Sequence, residues 1–328
     1  MTMANHCEGS GVTIPLSEVP ETPGPYAMSF GFEVSAMAVS IERVGLLNRP
    51  VVERDGEGSV HVVTGYRRLM ALRVLQWKEA PCTDLGAAGL SFRQKLLMAF
   101  YDNLPTREFN DVEKAMVLDR LLQCHAREEV ISFFMPLLGL PSRDPLLETY
   151  LQSGSLGGEI KLALARKQVS LQTIRLLLDM DEDARFALSD WLLELKFSDS
   201  YQQKFIEYID DISHREGLRV RQVLSEDGLL ALLHDEKQNQ PQKIRAIMES
   251  LRQRRFPDLT RAEKAFRYRV RALKPPTDVR IEHPPGFESP GYRLEVRFSD
   301  GKSLRKKLME TASLQGLDTL GDPWKESS

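Results

Sequence analysis

The sequence predicts an α+β chain of several domains, and three observations carry that prediction. Strand-like and helix-like runs alternate up to about residue 85, as in a small α/β domain over residues 27–100. Helical patterning then runs on without a strand, giving an all-helical domain over residues 101–235 that contains a helix-turn-helix. Near the end two alternating strands lie between helices, an αββα unit assigned with its basic leading helix to residues 243–315. Residues 1–26, rich in Gly, Pro, Ser and Thr, read as a disordered tail, and residues 316–328 as a second one. A length of 328 residues suits two or three domains.

The elements follow in order. Val34 to Val44 reads as a short helix closed by Gly45, a natural C-cap. Pro50 to Glu53 and Ser59 to Val63 read as strands joined by an Asp55-Gly56 turn. From Arg67 to Gln76 the apolar residues fall at 69, 70, 72, 74 and 75, which is helical spacing. Asn110 with Glu113 marks a capped helix start. A further helix covers Glu128 to Leu138 and breaks at Gly139, and the next begins near Ser142 with Pro145 in its first turn. Helix, glycine turn, helix is the helix-turn-helix arrangement. A polar linker, His234 to Gln242, leads to a basic helix ending before Pro275-Pro276. Val279 and Ile281, then Tyr292, Leu294, Val296 and Phe298, alternate with charged residues as two half-buried strands. Leu304 to about Ala312 closes the chain as an amphipathic helix. Such a unit buries little by itself and gains most by pairing with its own copy.

Composition excludes several classes. With 42% hydrophobic residues the chain can bury real cores, so it is neither disordered nor a coiled-coil rod. No apolar run approaches the ~18–20 residues that cross a bilayer. Met1 to Gly11 does not read as a signal peptide, and the cytoplasm is the expected compartment. Cys7, Cys82 and Cys124 are too few and too scattered for a disulfide framework or zinc cluster. Cys82, after Pro81, reads as a small core residue. His61, His125, His214 and His283 lack ligand spacing. Net charge is −3, but unevenly placed: residues 181–211 hold nine acids against three bases, and residues 245–274 hold ten bases against three acids. That asymmetry suits contact with a polyanion, and equally a solvated helix face.

Two strings carry chemistry. In Thr64-Gly65-Tyr66-Arg67-Arg68, a strand delivers the chain to a glycine and a helix starts at once. Its free N–H groups and positive dipole end suit a phosphate above Gly65, and Arg67 and Arg68 add fork-shaped donors. Alone, the string is weak and is better explained by ordinary surface ion pairs. In Tyr101 to Asn110, Asp102 and Asn103 offer hard oxygen ligands of the kind Mg²⁺ accepts beside a phosphate chain. A helix end with a turn explains that string as well. The two strings together, in this order and separation, are more specific.

Val44 to Pro50 (VGLLNRP), Gly65 to Ala71 (GYRRLMA), Asp102-Asn103 with Asn110 and Glu113-Lys114-Ala115, and the later helix-turn-helix resemble the ParB/Spo0J-type partition proteins. The family's motifs are Gly-Glu-Arg-Arg-x-x-Ala and Glu-Asn-x-x-Arg, and it closes on a small strand–strand–helix dimerisation domain. The resemblance covers roughly residues 28–312. It implies a ParB-like α/β domain and a CTP-gated clamp that binds Mg²⁺ and DNA. The clamp would pair as a homodimer, work with a partition ATPase on the nucleoid and have at most weak CTPase activity. By this resemblance Gly65, Arg67, Arg68 and Arg107 would hold the triphosphate, and Asp102 and Asn103 the metal. The chain departs from the motifs at Tyr66 and Asp102, where the family has Glu, and at Thr106, where it has Arg. Met28-Ser29-Phe30-Gly31 stands where the family has a Gln-Pro-Arg segment.

For DNA, the second helix of the helix-turn-helix offers Arg143 beside Asp144 and Glu148, a poor start for contacting base edges and phosphates. The stretch Arg252 to Lys274, with Arg252, Arg254 and Arg255 in front, is the stronger electrostatic candidate. Two alternatives stand beside the clamp. One is a nucleotide-dependent kinase or nuclease with Asp102 as base, and the other is a ParB-like transcriptional regulator.

Overall fold

The computed structural model describes residues 9–288 and 291–321. The chain forms two compact units that divide between Ile206 and Glu207.

The first unit begins with β1 (Ser10–Pro15), α1 (Ser35–Val44), β2 (Val51–Arg54), β3 (Val60–Thr64), α2 (Tyr66–Val74) and β4 (Glu79–Asp84). The sheet order is β1-β4-β2-β3, with β2 parallel to β4 and the other pairs antiparallel. Strand alternation explains its two cores. Val60 and Val62 of β3 join Ile14, Val52, Ala80 and Cys82 against α1 and α2. Val63 turns the other way, toward the helices that follow. Cys82 is fully buried, which pushes its thiol up to about 11, so it is a core residue and no nucleophile at neutral pH.

Residues 9–26 correct the expected tail. Ser10–Pro15 is a strand paired with β4 from Ser10↔Asp84 to Pro15↔Glu79, and Ile14, Leu16, Val19 and Tyr26 are buried. The following segment has few backbone partners of its own, so side chains from far along the chain supply them. Arg73 donates to the Leu16 and Val19 carbonyls, and Arg120 to those of Gly24 and Ala27. Cys7 lies outside the described residues.

Helices complete the unit. α3 (Phe92–Asn103) starts with a Ser91–Gln94 capping box, and α4 (Asp111–Leu122) with the expected Asn110–Glu113 box. The boundary expected after residue 100 therefore falls inside α3, whose Leu96, Ala99 and Phe100 share one core with β3 and α4. Next come α5 (Arg127–Glu129), a π turn (Val130–Phe134) and α6 (Met135–Leu137), ended by Gly139 at φ +72°. α7 (Asp144–Ser153) follows with Pro145 in its first turn, so that helical segments flank the turn at Gly139 as the spacing predicts. α8 (Gly158–Ala165), α9 (Leu171–Leu178), α10 (Glu182–Leu195) and the long α11 (Asp199–Glu216) lead to the division between the units.

The second unit contains α12 (Val220–Leu224), α13 (Asp227–Leu233), α14 (Gln240–Arg255) and α15 (Pro257–Leu273), then β5 (Val279–Glu282), β6 (Arg293–Val296) and α16 (Gly301–Ala312). The expected linker to residue 242 is shorter, because Asn239 caps α14. The expected continuous basic helix is broken at Phe256, since Pro257 lacks the N–H that would continue α14 and instead starts α15. β5 and β6 pair antiparallel from Val279↔Val296 to Glu282↔Arg293, and Phe266 of α15 heads a small core with Ala262 and Phe287. The end of the chain is no free tail as far as it is described: Leu320 packs on that core and the Gly321 carbonyl accepts from the Tyr292 hydroxyl at 2.6 Å.

Candidate nucleotide cleft and DNA-facing surfaces

β3 hands the chain to Gly65, which sits at φ +84°. A Cβ there would be strained by that left-handed backbone and would stand 3.0 Å from the Pro50 Cα. α2 begins at the next residue, so the first N–H groups of the helix face outward from the turn. The turn opens on a cleft of about 720 Å³, whose lining includes Gly65, Arg67, Arg68, Asp102, Asn103 and Arg107. All six residues expected at the nucleotide and metal site thus share one cavity. The N-terminal segment adds Met28 and Ser29 to its wall.

The cations there are already partnered. Arg67 donates from Nη2 to Glu113 Oε1 at 2.5 Å, and its guanidinium lies 5.0 Å from the Phe32 ring centroid. Arg68 reaches the Asn48 carbonyl at 2.8 Å and stands 3.5 Å from the Asp102 carboxylate. Arg107 is the most constrained. Its Nε donates to Asn103 Oδ1 at 2.8 Å, Nη1 to Glu113 Oε2 at 2.6 Å, and Nη2 to the Met28 carbonyl. Burial lowers the Arg107 pKa and Glu113 opposes that shift. Tyr66, at the family's glutamate position, donates its hydroxyl to the Glu21 carbonyl and so ties down the N-terminal segment.

A magnesium site made of Asp102 and Asn103 does not fit this geometry. Asn103 spends its amide on the Ala99 carbonyl, at 2.7 Å, and its oxygen on a permanent cation. It orients Arg107, and Asp102 is left as one carboxylate beside Arg68. No group of three or more His, Cys, Asp or Glu able to hold a metal occurs among the described residues. Glu113, legible in the sequence as a helix-cap residue and as part of the family-like string but not as a partner of the cleft arginines, joins the site through these bonds.

The expected DNA residues fare differently from one another. Arg143 is exposed just before α7. Beside it, Arg127 bonds both Asp144, at 2.7 Å, and Glu148, at 3.1 Å, which offsets part of the acidity of that helix. Arg252, Arg254 and Arg255 are each held in ion pairs within the protein. Arg252 clasps Glu263 through two bonds, at 3.0 and 2.5 Å. Arg254 holds Glu216 and Glu226, at 2.5 and 2.6 Å, and Arg255 pairs with Asp211 while lying over the rings of Tyr208 and Phe256. Glu216 and Glu226 lie 38 and 28 positions from Arg254, and Glu263 lies 11 from Arg252.

These clasps make a pH prediction. Bonds from Arg254 and Arg215 draw the Glu216 carboxyl down to about 2, and Arg252 lowers Glu263. A depressed carboxylate stabilises the fold above its unfolded pKa, roughly 4.3, and loses that contribution as pH falls through the folded value. The melting temperature of the second unit should fall between pH 5 and pH 2. An Arg254→Met protein should melt lower than wild type at pH 5 and converge with it near pH 2. Parallel pH profiles for the two proteins in calorimetric melts would refute the assignment.

The architecture is an α/β layer with a guanidinium-lined cleft, followed by a helix-turn-helix. No protein-family model matches the chain. It is similar to the nucleoid occlusion protein of Lysinibacillus sphaericus, 24% identical over 123 residues, 37% of this chain and 40% of that protein. It is also similar to the nucleoid occlusion protein of Bacillus pumilus, 22% identical over 210 residues, 61% of this chain and 67% of that one. The chain spans about two-fifths of the length of the first of these relatives. Among solved structures, it is similar to C-terminally truncated chromosome-partitioning protein ParB from Caulobacter crescentus in two complexes. With CTP-gamma-S the identity is 17%, covering 56% of this chain and 99% of that one at a TM-score of 0.26. With the centromeric parS site the values are 15%, 60%, 98% and 0.32. The resemblance to ParB-type proteins read from the sequence is supported by these relatives.

Proposed function

We propose that this chain is a ParB-type DNA-binding protein whose α/β layer takes a nucleoside triphosphate, CTP by the family resemblance. The observation that carries the reading is the cleft itself. A left-handed glycine turn, a helix N-terminus and two adjacent arginines converge on one cavity of about 720 Å³. Backbone N–H groups and guanidinium forks together suit a polyphosphate, whereas the cleft offers no pair of free carboxylates for phosphoryl-transfer chemistry.

The test is a calorimetric panel of CTP, ATP, GTP and UTP, with and without Mg²⁺. CTP should bind the wild-type protein. Arg68→Ala should weaken it by about 1.5–3 kcal/mol, the worth of a hydrogen bond to a charged group. Arg68 anchors no core, so the fold should survive. No heat with any nucleotide would overturn the reading.

The DNA-facing surface in this reading is one stripe of α15. Arg261, Lys264, Arg267 and Arg271 are exposed, and at 100° per residue they fall on one side of the helix, around the exposed Tyr268. Ala262, Phe266 and Leu273 occupy the buried side. Pairing of two chains is assigned to the αββα unit, where Leu294, Phe298, Leu308 and Met309 are exposed large apolar side chains.

A further inference from the structure

Glu113 is a buried carboxylate, 1% exposed, on which four donors converge. Two come from the cleft: Arg67 Nη2 on Oε1 at 2.5 Å and Arg107 Nη1 on Oε2 at 2.6 Å. The other two are backbone amides outside it. Phe30 N–H donates to Oε1 at 3.0 Å and Asn110 N–H to Oε2 at 3.2 Å. The Phe30 amide belongs to the N-terminal segment that walls the cleft, and the Asn110 amide to the cap of α4.

A capping glutamate needs only the second of these amides. Here the same carboxylate also balances two permanent cations that line the cavity, without lining the cavity itself. A polyphosphate would bring to those guanidiniums the charge that Glu113 now supplies, and two guanidinium forks cannot serve both anions with full geometry. Any phosphate that wins them leaves a buried carboxylate short of partners, which is costly unless that carboxylate moves.

Resting on the nucleotide reading above, we propose that Glu113 is the resident anion of the cleft. Polyphosphate displaces it from Arg67 and Arg107, and the displacement releases its hold on Phe30 and on the α4 cap. Glu113 touches no ligand in this scheme. It is a positioning residue whose charge sets the affinity of the site and whose movement reports occupancy to the N-terminal segment and to α4.

The test has two arms. In the first, amide hydrogen exchange is followed by NMR on the wild-type protein, with CTP and Mg²⁺ and separately with inorganic tripolyphosphate. Saturation should lower protection at the Phe30 and Asn110 amides while raising it at Tyr66 and Arg67. A structural capping role alone would leave Phe30 and Asn110 unchanged or better protected. In the second arm Glu113→Gln, which keeps a residue suited to the capping box, should bind tripolyphosphate more tightly, by roughly tenfold, because one opposing charge is gone. Unchanged protection at both amides in the wild type overturns the proposal, as does equal or weaker binding by a folded E113Q protein. If E113Q does not fold, the wild-type exchange decides. The nucleotide reading fails separately: tripolyphosphate that binds and lowers the two protections while CTP does not bind would sustain the anion exchange and refute the nucleotide. Binding of neither refutes both.

Discussion

Phe266→Ala is expected to melt the αββα unit and with it any pairing of two chains. The core of that unit is small: Ala262, Phe266 and Phe287 are buried, with Leu259, Val270, Ile281, Tyr292 and Leu320 packed around them. Phe266 is the ring at its centre. It stacks on Tyr292 at 5.2 Å and meets Phe287 edge-on at 5.9 Å and His283 at 5.0 Å. Truncating a buried Phe to Ala costs about 3–5 kcal/mol, the lost transfer energy plus a cavity. A two-stranded sheet between two helices has only a few kcal/mol in reserve, so the loss is of the order of its whole stability. Exchange mass spectrometry should show peptides across 257–296 losing protection while those of the first unit keep theirs. Light scattering should then report a monomer. Retained protection over 257–296 would mean that the unit draws its stability from contacts other than this core.

What the sequence made legible was local. Gly45 and Gly65 at positive φ, the Asn110–Glu113 box and the Pro145 first turn each act within a few residues, and each is where its spacing placed it. The fold elements of the α/β layer and of the αββα unit follow from alternation and turn chemistry in the same way. What escaped was non-local. Residues 9–26 have the composition of a tail, yet they are fixed by Arg73 and Arg120, between 54 and 96 positions away. No spacing rule pairs an arginine with a carbonyl at that distance. The candidate site shows the same split. Six residues from two short strings line one cavity, whereas the bond from Arg67 to Glu113 spans 46 positions and ties a cap residue to that cavity's wall. Charge behaved likewise, because the basic stretch is plain in the sequence but the pairing of Arg254 with Glu216 and Glu226, and of Arg255 with Asp211, depends on tertiary packing. The helix break at Phe256 is the exception, since Pro257 stood in plain view.

The four-residue change Arg261→Gln, Lys264→Gln, Arg267→Gln and Arg271→Gln is expected to remove most DNA affinity without unfolding the protein. These side chains are exposed, and Gln is nearly as good a helix former as Lys or Arg, so the buried face of α15 keeps its packing. Lys264 and Arg271 have no ion-pair partner among the described residues, whereas Arg261 is held only by its helix neighbour Asp258, at an exposed site where such pairs contribute little. Each phosphate contact releases condensed counterions, so each one lost flattens the slope of log affinity against log salt by about 0.9. Four lost contacts would flatten it by roughly 3.6, a change well outside experimental scatter in a salt titration on a random DNA pool. Arg254→Ala is the informative control. Its guanidinium already serves Glu216 and Glu226, so its loss should lower the melting temperature of the second unit and leave the salt slope unchanged. Arg143→Ala, at the exposed start of α7, should leave the slope within one contact and alter only preference among sequences. The opposite pattern, a flat response to the quadruple change and a steep loss with Arg143→Ala, would move the DNA contact from α15 to the helix-turn-helix.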